Sequence, residues 1–355
     1  MALLFCDGFP YDIALASVRY NYFISNSYGG AATIETTDGR SGGRWMRVTQ
    51  STWGDGAHHG TTVRKTLGGT ATTIIVQFGY KPIDYRLNTI PIIFFMDNAN
   101  GTQVSLYDVV GVLKVYRGEK GGTLLATASK SIDANAWHQI EMKVTISNSA
   151  GVVIVKVDGE TLINIQSGDG VDTQNTALTI CDAIQFGNYL EDCNNVSGIS
   201  DIIIMDTTGS YCNDFLGARI VQVLMPTSAG TYSQFTPSAG SNYQCVDETS
   251  PNGDTDYNAA DTAGEKDTFN FGDAINPNGV IDAVVFSPYV KTDDGGSAKF
   301  KAFVRSNGDE AYGTERPIYG SYAWVPSIIY VDPDTGVPFV PAGFNAAEFG
   351  YERTL

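Results

Sequence analysis

The chain has 355 residues, 43% of them hydrophobic, and a formal net charge of −17. That length suits two domains, and the apolar content suits a packed core. The charge excludes a protein that grips a nucleic-acid backbone, which needs a basic surface to displace counterions, and no apolar run approaches the roughly 20 residues that span a bilayer.

In chain order, the amino-terminal "MALLFCDGFPYD" has no basic segment leading into a long apolar run, so no secretory signal is expected. Short alternating runs then recur between turn residues: "TTIIVQFGYK" (72–81), "IPIIFFMDN" (90–98), "VLKVYRG" (112–118), "QIEMKVTI" (139–146), "VVIVKVDG" (152–159) and "SDIIIMDT" (200–207). "ARIVQVLMP" (218–226), "VIDAVVFSPYV" (280–290) and "AKFKAFVRS" (298–306) continue the pattern. Period-two alternation over such lengths predicts strands and an all-β protein. One short helix is expected at "NAAEFG" (345–350), with Asn345 capping it and Gly350 ending it.

Several stretches suggest chemistry. "GRSGG" (Gly39–Gly43) matches the G-x-S-x-G pattern of a hydrolase nucleophile elbow. That motif needs a helix after it, and "RWMRVTQ" reads as a strand, so Ser41 is rejected as a nucleophile. Ser41 is read as a turn residue, and Arg40, Arg44 and Arg47 as solvated or ion-paired. His58 and His59 are adjacent and lack the further ligands of a catalytic zinc site. In "AWHQIEMKVTISNSAGVVIVKVDGETLI" (136–163), strand parity puts His138 with Ile140, Met142 and Val144 and puts Glu141 on the opposite face. The two form no local acid–base pair. His138 reads as a buried, hydrogen-bonded residue, and Asp158-Gly159 as a two-residue type I′ turn.

The five cysteines, Cys6, Cys181, Cys193, Cys212 and Cys245, form no CxxC pair. Free thiols are expected, with one bridge among Cys181, Cys193 and Cys212 left open. Apolar alternation stops at Met225-Pro226, which sets a domain boundary near residue 226. Residues 227–355 carry 18 acidic and 7 basic side chains, a net of −11, and from 247 to 273 there are eight acids and one lysine. That turn-rich segment is expected to be a long loop or an excursion. Within it Asp254, Asp256, Asn258 and Glu265 fall at calcium-loop positions, but Ala259 stands where that loop wants glycine. A solvated acidic loop is favoured. A β-sandwich glycosidase would alternate paired carboxylates along one strand, and that pattern is absent. Tyr20, Tyr22, Trp53, Tyr80 and Tyr85 are candidates either to stack on sugars or to fill the core.

"LLFCDGF" (3–9), "GRSGGRWMRV" (39–48), "AWHQIEMKVTI" (136–146), "GVVIVKVDGETLI" (151–163) and "DIIIMDTTG" (201–209) form an ordered set. Together they resemble a laminin-G-like, concanavalin A-like jelly roll over residues 1–226. "DTTGSYCNDFLGARIVQVLMP" (206–226), "FTPSAGSNYQCVDE" (235–248) and "DPDTGVPFVPAGFNAAEFG" (332–350) resemble segments of tailed-bacteriophage virion proteins that carry such a jelly roll. The resemblance implies no catalytic residue that maps onto this chain.

The expected architecture is all-β: a concanavalin A-like (laminin-G-like) jelly-roll sandwich at 1–226, then a second, smaller, acidic β-sandwich domain at 227–355. The function implied is that of a bacteriophage virion structural protein, a capsid decoration or tail or fibre component assembled in the host cytoplasm. It would act by surface attachment without catalysis. Its partners would be other virion proteins and further copies of itself, a trimer being the first expectation. The alternative is a lectin-like module that recognises host surface glycans; a glycoside hydrolase ranks last. No catalytic, cofactor-binding or metal-ligating residue is assigned, and no cofactor, nucleic acid or membrane insertion is expected.

Overall fold

The computed structural model describes residues 2–11, 19–20, 22–25, 31–52, 58–59, 61–84, 89–187, 195–293 and 297–355, excepting the side chains of 22–25, 50–52, 58–59 and 84. Two compact units are present, Met1–Val221 and Gln222–Leu355. No helix among the described residues is long and apolar enough to cross a membrane.

In the first unit, β1 (Leu3–Asp7), β2 (Tyr22–Ser25), β3 (Ala31–Glu35) and β4 (Trp45–Thr52) come first. They are followed by β5 (His58–His59), β6 (Thr61–Thr66), β7 (Thr73–Asp84), β8 (Ile90–Met96), β9 (Thr102–Val109) and β10 (Val112–Arg117). The unit is completed by β11 (Thr123–Ser131), β12 (His138–Thr145), β13 (Val152–Val157), β14 (Glu160–Ile165), β15 (Ala183–Phe186) and β16 (Asn195–Asp206). Sheet I runs β14-β13-β12-β7-β16-β4-β3, with β1 added on β16 and β5 on β4; sheet II runs β11-β10-β9-β8-β15-β6-β2. From β7 onward the chain passes from sheet I to II, back to I, to II again and finally to I. This antiparallel, interleaved order is a concanavalin A-like jelly-roll sandwich.

Alternate side chains of the two sheets fill the space between them. Ile74, Val76, Phe78 and Tyr80 of β7 and Ile140, Met142 and Val144 of β12 meet Ile93, Phe95, Val104 and Leu106 from sheet II. Phe78 and Phe186 make an edge-to-face contact at 5.2 Å across the core. Burying each such side chain is worth about 1.5–3 kcal/mol. At the β13–β14 turn, Asp158 (φ 51°) and Gly159 (φ 85°) both take positive φ, as a type I′ turn requires. His138 is buried and tied to that turn, with Nδ1 2.8 Å from Asp158 Oδ2 and Nε2 3.0 Å from the Asp133 carbonyl.

The outer face of sheet I is unusual because its polar side chains are dry. Gln77, Gln139, Glu141, Ser200 and Asp201 are all buried there, beneath a strap formed by residues 214–221. Gly217 N–H donates to Glu141 Oε1 at 3.0 Å, while Gln139 Nε2 donates to the Gly217 carbonyl. Arg40 donates to the Arg219 carbonyl at 2.6 Å and to Gln139 Oε1, and lies 3.5 Å from Asp201. Val221 N–H closes the strap onto Asp201 Oδ1 at 2.8 Å. Asp214 pairs with Lys143 at 3.0 Å, and Lys156 Nζ sits 4.2 Å from the Phe215 ring centroid. Gly79 leaves the room Arg40 needs, since a Cβ there would overlap Ser200 Oγ and press on Arg40 Cδ.

The second unit contains β17 (Pro226–Ser233), β18 (Thr236–Pro237), β19 (Asn258–Ala259), β20 (Lys266–Phe271), β21 (Val284–Phe286) and β22 (Tyr289–Val290). It continues with β23 (Ala298–Ser306), β24 (Asp309–Tyr312), β25 (Arg316–Ile318), β26 (Ala323–Trp324), β27 (Ser327–Ile329), α1 (Pro341–Ala346) and β28 (Glu348–Arg353). Its main sheet runs β17-β20-β28-β23-β24, with β25 on β23; β18–β19, β21–β27 and β22–β26 are separate two-stranded ladders. One face of the main sheet carries Phe269, Phe300, Val304, Phe349 and Tyr351 into an aromatic core closed by Phe235, Phe286, Phe339 and Phe344. Buried Asp267 pins the covering chain by accepting from Gln234 N, Phe235 N and Asn242 Nδ2 at 2.7–3.0 Å. On the opposite face Lys266 Nζ lies 5.0–5.3 Å from the rings of Tyr232, Phe303 and Tyr312, and 3.1 Å from Glu310.

Three expectations are corrected. "ARIVQVLMP" is not a strand: its first residues are strap, whose backbone bonds to side chains of sheet I, and β17 starts only at Pro226. Residues 247–273 are not all loop, because Lys266–Phe271 is an interior strand between β17 and β28. The helix lies at Pro341–Ala346, opened by a proline at its first turn, and Gly350 belongs to β28. A Cβ at Gly350 would collide with the Asp267 carbonyl, so close strand approach is what its glycine serves. Cys6, Cys181, Cys212 and Cys245 are free thiols, and Cys193 lies outside the described residues.

Gly79→Ala should destabilise the first unit by about 1–3 kcal/mol, as overpacking does, measured by denaturant unfolding. Asp201 has its carboxyl raised above the ordinary range, by burial first, against the opposing effect of Val221 N–H, Ser200 and Arg40. Such a group binds its proton more tightly when folded, so its contribution makes stability fall as pH rises through the raised value. Asp201→Asn should therefore gain on the parent as pH rises above the ordinary aspartate value, about 3.9, in thermal unfolding; a constant difference across the series would reject this. Lys266→Met should cost about 1–2 kcal/mol through lost cation–π contact and should lower the melting of the second unit selectively.

Candidate functional site

The β22–β26 ladder is a short platform bounded by prolines. Tyr289 pairs with Trp324 and Val290 with Ala323, and Val325 N–H donates to the Pro288 carbonyl at 3.0 Å. Pro326 follows directly, so neither strand extends into a larger sheet. Alternation puts Tyr289 and Lys291 of one strand, and Tyr322 and Trp324 of the other, on one face. Tyr289 stacks on Tyr322 at 4.9 Å with planes 14° apart and meets Trp324 at 4.9 Å and 42°. Lys291 Nζ lies 4.7 Å from the Tyr322 centroid, completing a four-member comb.

Asp254 caps the comb. Its carboxylate accepts from Lys291 Nζ at 2.7 Å and from the Tyr322 hydroxyl at 2.9 Å. These two partners hold the Asp254 carboxyl below its ordinary value. Partial burial, reinforced by Asp254, pushes the Tyr322 hydroxyl up to about 12, so it remains a neutral donor at any physiological pH. The turn at Gly253 (φ 69°) brings Asp254 over the ladder. Tyr257 and Tyr319 are exposed, the latter at 69%, and Thr292 N–H ties the segment of Tyr319 to the end of β22 at 2.9 Å. The site thus offers aromatic surface, a carboxylate acceptor, an ammonium donor and phenolic hydroxyls.

The other candidates resolve individually. Asp256 accepts from Asn252, Asn258 donates to the Asn242 carbonyl at 2.9 Å, and Glu265 accepts from Asp261 N and Thr262 N at 3.1 Å. With Asp254 these are the four calcium-loop positions, and each serves a different partner; no group of three or more potential metal-binding side chains is assembled among the described residues. Ser41 sits at φ 56° in an exposed turn followed by β4, not by a helix. Arg40 is ion-paired, as expected, with Asp201 at 3.5 Å, and it also clamps the strap. Glu141 is engaged by Gly217 on the face opposite the core, apart from His138 and its turn.

Tyr20 and Tyr80 fill the core, their hydroxyls on Asp7 at 2.9 Å and Asp108 at 3.1 Å. Trp53, Tyr85 and the side chains of Tyr22, His58 and His59 lie outside the described residues. Sequence reasoning missed Tyr289, Tyr322 and Trp324. The available signal was the alternation of aromatics in "SYAWVP" and "SPYVK", each bounded by proline.

No family model matches the sequence, and no curated protein matches it. Among solved structures, the chain is similar to the cellulose-induced protein Cip1 at 14% identity and TM-score 0.44, over 61% of this chain and 100% of that one. It is similar to a carbohydrate esterase from Shiga toxin-encoding bacteriophage phi24B at 13% identity and TM-score 0.40, over 58% and 99%. A Bacillus subtilis protein of unknown function with a galectin-like fold is similar at 10% identity and TM-score 0.39, over 58% and 96%.

Proposed function

We propose that this chain is a non-catalytic attachment protein of a phage particle that grips a polyhydroxylated surface polymer through the aromatic comb of its second unit. The observation that carries the reading is the alignment of Tyr289, Tyr322 and Trp324 on one ladder face beside Lys291 and Asp254. Aromatic surface receives the C–H groups of a sugar ring, while flanking charged groups take its hydroxyls. The virion assignment is supported by the sequence resemblance to phage proteins, whose "N-D-F-L-G" is matched at residues 213–217 and runs into the strap. Repeated copies on a particle would multiply a weak single-site affinity by avidity.

Absence of turnover is supported by the occupation of Glu141 and Asp201, two buried carboxylates of the sheet I outer face, which are bonded to Gly217, Val221, Ser200 and Arg40. A general acid and its partner need to be within reach of a scissile bond.

On an array of bacterial surface polysaccharides, the full chain should bind a subset of glycans. A Tyr322→Ala, Trp324→Ala double variant should lose at least about tenfold in affinity, roughly 1.4 kcal/mol, with its melting temperature checked in parallel. A silent parent, or a double variant that binds like the parent, rejects the comb as the site. Silence together with regularly spaced copies on purified particles would point to decoration. Release of new reducing ends, abolished by one carboxylate substitution, would replace the reading with a hydrolase.

A further inference from the structure

At one end of the jelly roll a cleft of about 390 Å³ opens where β6 ends, β7 and β15 begin and β16 finishes. Its floor is apolar, from Leu4, Leu67, Ala71 and Ile74, with the buried thiol of Cys181 beneath. Its rim is hydroxylic: Thr70, Thr72 and Thr207 line it, and their hydroxyls make no hydrogen bond within the described residues. Asp206 completes the rim. One of its oxygens accepts from Thr208 N at 2.8 Å and from Thr208 Oγ1 at 2.7 Å, leaving the other oxygen unengaged. Among the described residues no basic side chain lines the cleft.

The walls are fixed by the sandwich. Cys181 N–H donates to the Ala71 carbonyl at 2.9 Å, Ile146 N–H to the Thr72 carbonyl at 2.8 Å, and Gly69 N–H to Asp182 Oδ1 at 2.7 Å. A loop held in this way keeps its shape without a ligand, so binding costs little ordering. The volume falls within the range of small-molecule sites, where an apolar bed and a few convergent polar groups set orientation.

We infer that this cleft binds a single neutral, hydroxyl-rich ring, a terminal pyranose. The less polar face of the ring rests on Leu4, Leu67 and Ala71. Ring hydroxyls donate to the unengaged Asp206 oxygen, a charge-assisted bond, and exchange hydrogen bonds with Thr70, Thr72 and Thr207. A uronic or sialic acid is disfavoured, because its carboxylate would face Asp206 with no cation among the described lining residues to offset it. The inference does not rest on the aromatic comb, since the cleft lies wholly within the first unit and its lining alone argues for the ligand.

The test is saturation-transfer NMR on the full chain with methyl glycosides of glucose, galactose, mannose and N-acetylglucosamine, and with glucuronate as the charged control. At least one neutral glycoside should bind and glucuronate should not. Asp206→Asn keeps an oxygen for Thr208 but replaces the free acceptor by a donor, and should weaken binding at least tenfold. Ala71→Trp fills the floor and should abolish it. The Tyr322→Ala, Trp324→Ala variant should retain it, which separates this site from the comb. Absence of binding by every neutral glycoside, equal binding of glucuronate, or binding unchanged in both Asp206→Asn and Ala71→Trp would overturn the inference. Loss of binding only in the comb variant would do the same.

Discussion

A polar side chain taken out of water must find a new partner, and in the first unit that requirement decides how the sandwich is finished. The inner face of sheet I is mostly apolar, and its few polar groups, such as His138 and the Tyr80 hydroxyl, bond within the sandwich. Its outer face carries Gln139, Glu141 and Asp201 in positions that solvent would ordinarily hydrate, yet all three are buried. Backbone groups of the strap replace the water, and Arg40 supplies positive charge beside Asp201. Leaving one such group unpartnered costs about 1–3 kcal/mol, so each bond the strap makes to this layer counts. Gln77 is the one member of that layer whose amide has no partner among the described residues.

The second unit meets a related problem with different means. Its sheet has an aromatic face and an ionic face, and residues on the ionic side alternate in charge across neighbouring strands. Arg305 lies 3.4 Å from Glu348, and Lys301 lies 3.7 Å from Glu352. Lys266 is held by rings and a carboxylate together, which is why a lysine can stand on a sheet face beside three aromatics. Despite partial burial, which works the other way, Tyr312 and Glu310 keep its ammonium well above the ordinary range. The aromatic comb and Asp254 follow the same chemistry, a cation on a ring with a carboxylate behind it, on a ladder too short to be covered by a second sheet.

Most of the first unit was legible because its strands alternate cleanly. Ile140, Met142 and Val144 fix the inward face of β12, and that parity alone separates His138 from Glu141. The Asp-Gly turn was legible for a local reason: few other pairs accept positive φ twice in succession. "ARIVQVLMP" misled because alternation reports which side chains want burial, not whether a sheet edge is available to pair with. Lys266–Phe271 was hidden for the opposite reason. Its "KDTFNF" has only two apolar side chains, Phe269 and Phe271, to show the alternation, and it sits inside a run of acidic turns, so composition outweighed period. The comb was missed because its strands are two residues each, below any length at which period can be read, and its members lie more than thirty residues apart.

The strap also sets an order of events. Arg40 reaches the Arg219 carbonyl across 179 residues of sequence, and Gln139 and Glu141 wait for Gly217. As the chain leaves the ribosome, the sandwich can collapse around its apolar interior once β16 has emerged. The outer face then remains wet until about fifteen further residues follow. Contacts of such long sequence separation form late, because loop closure is paid before they return anything. Between those two moments the first unit is a packed core with an open polar sheet, and the last segment made is the one that seals it.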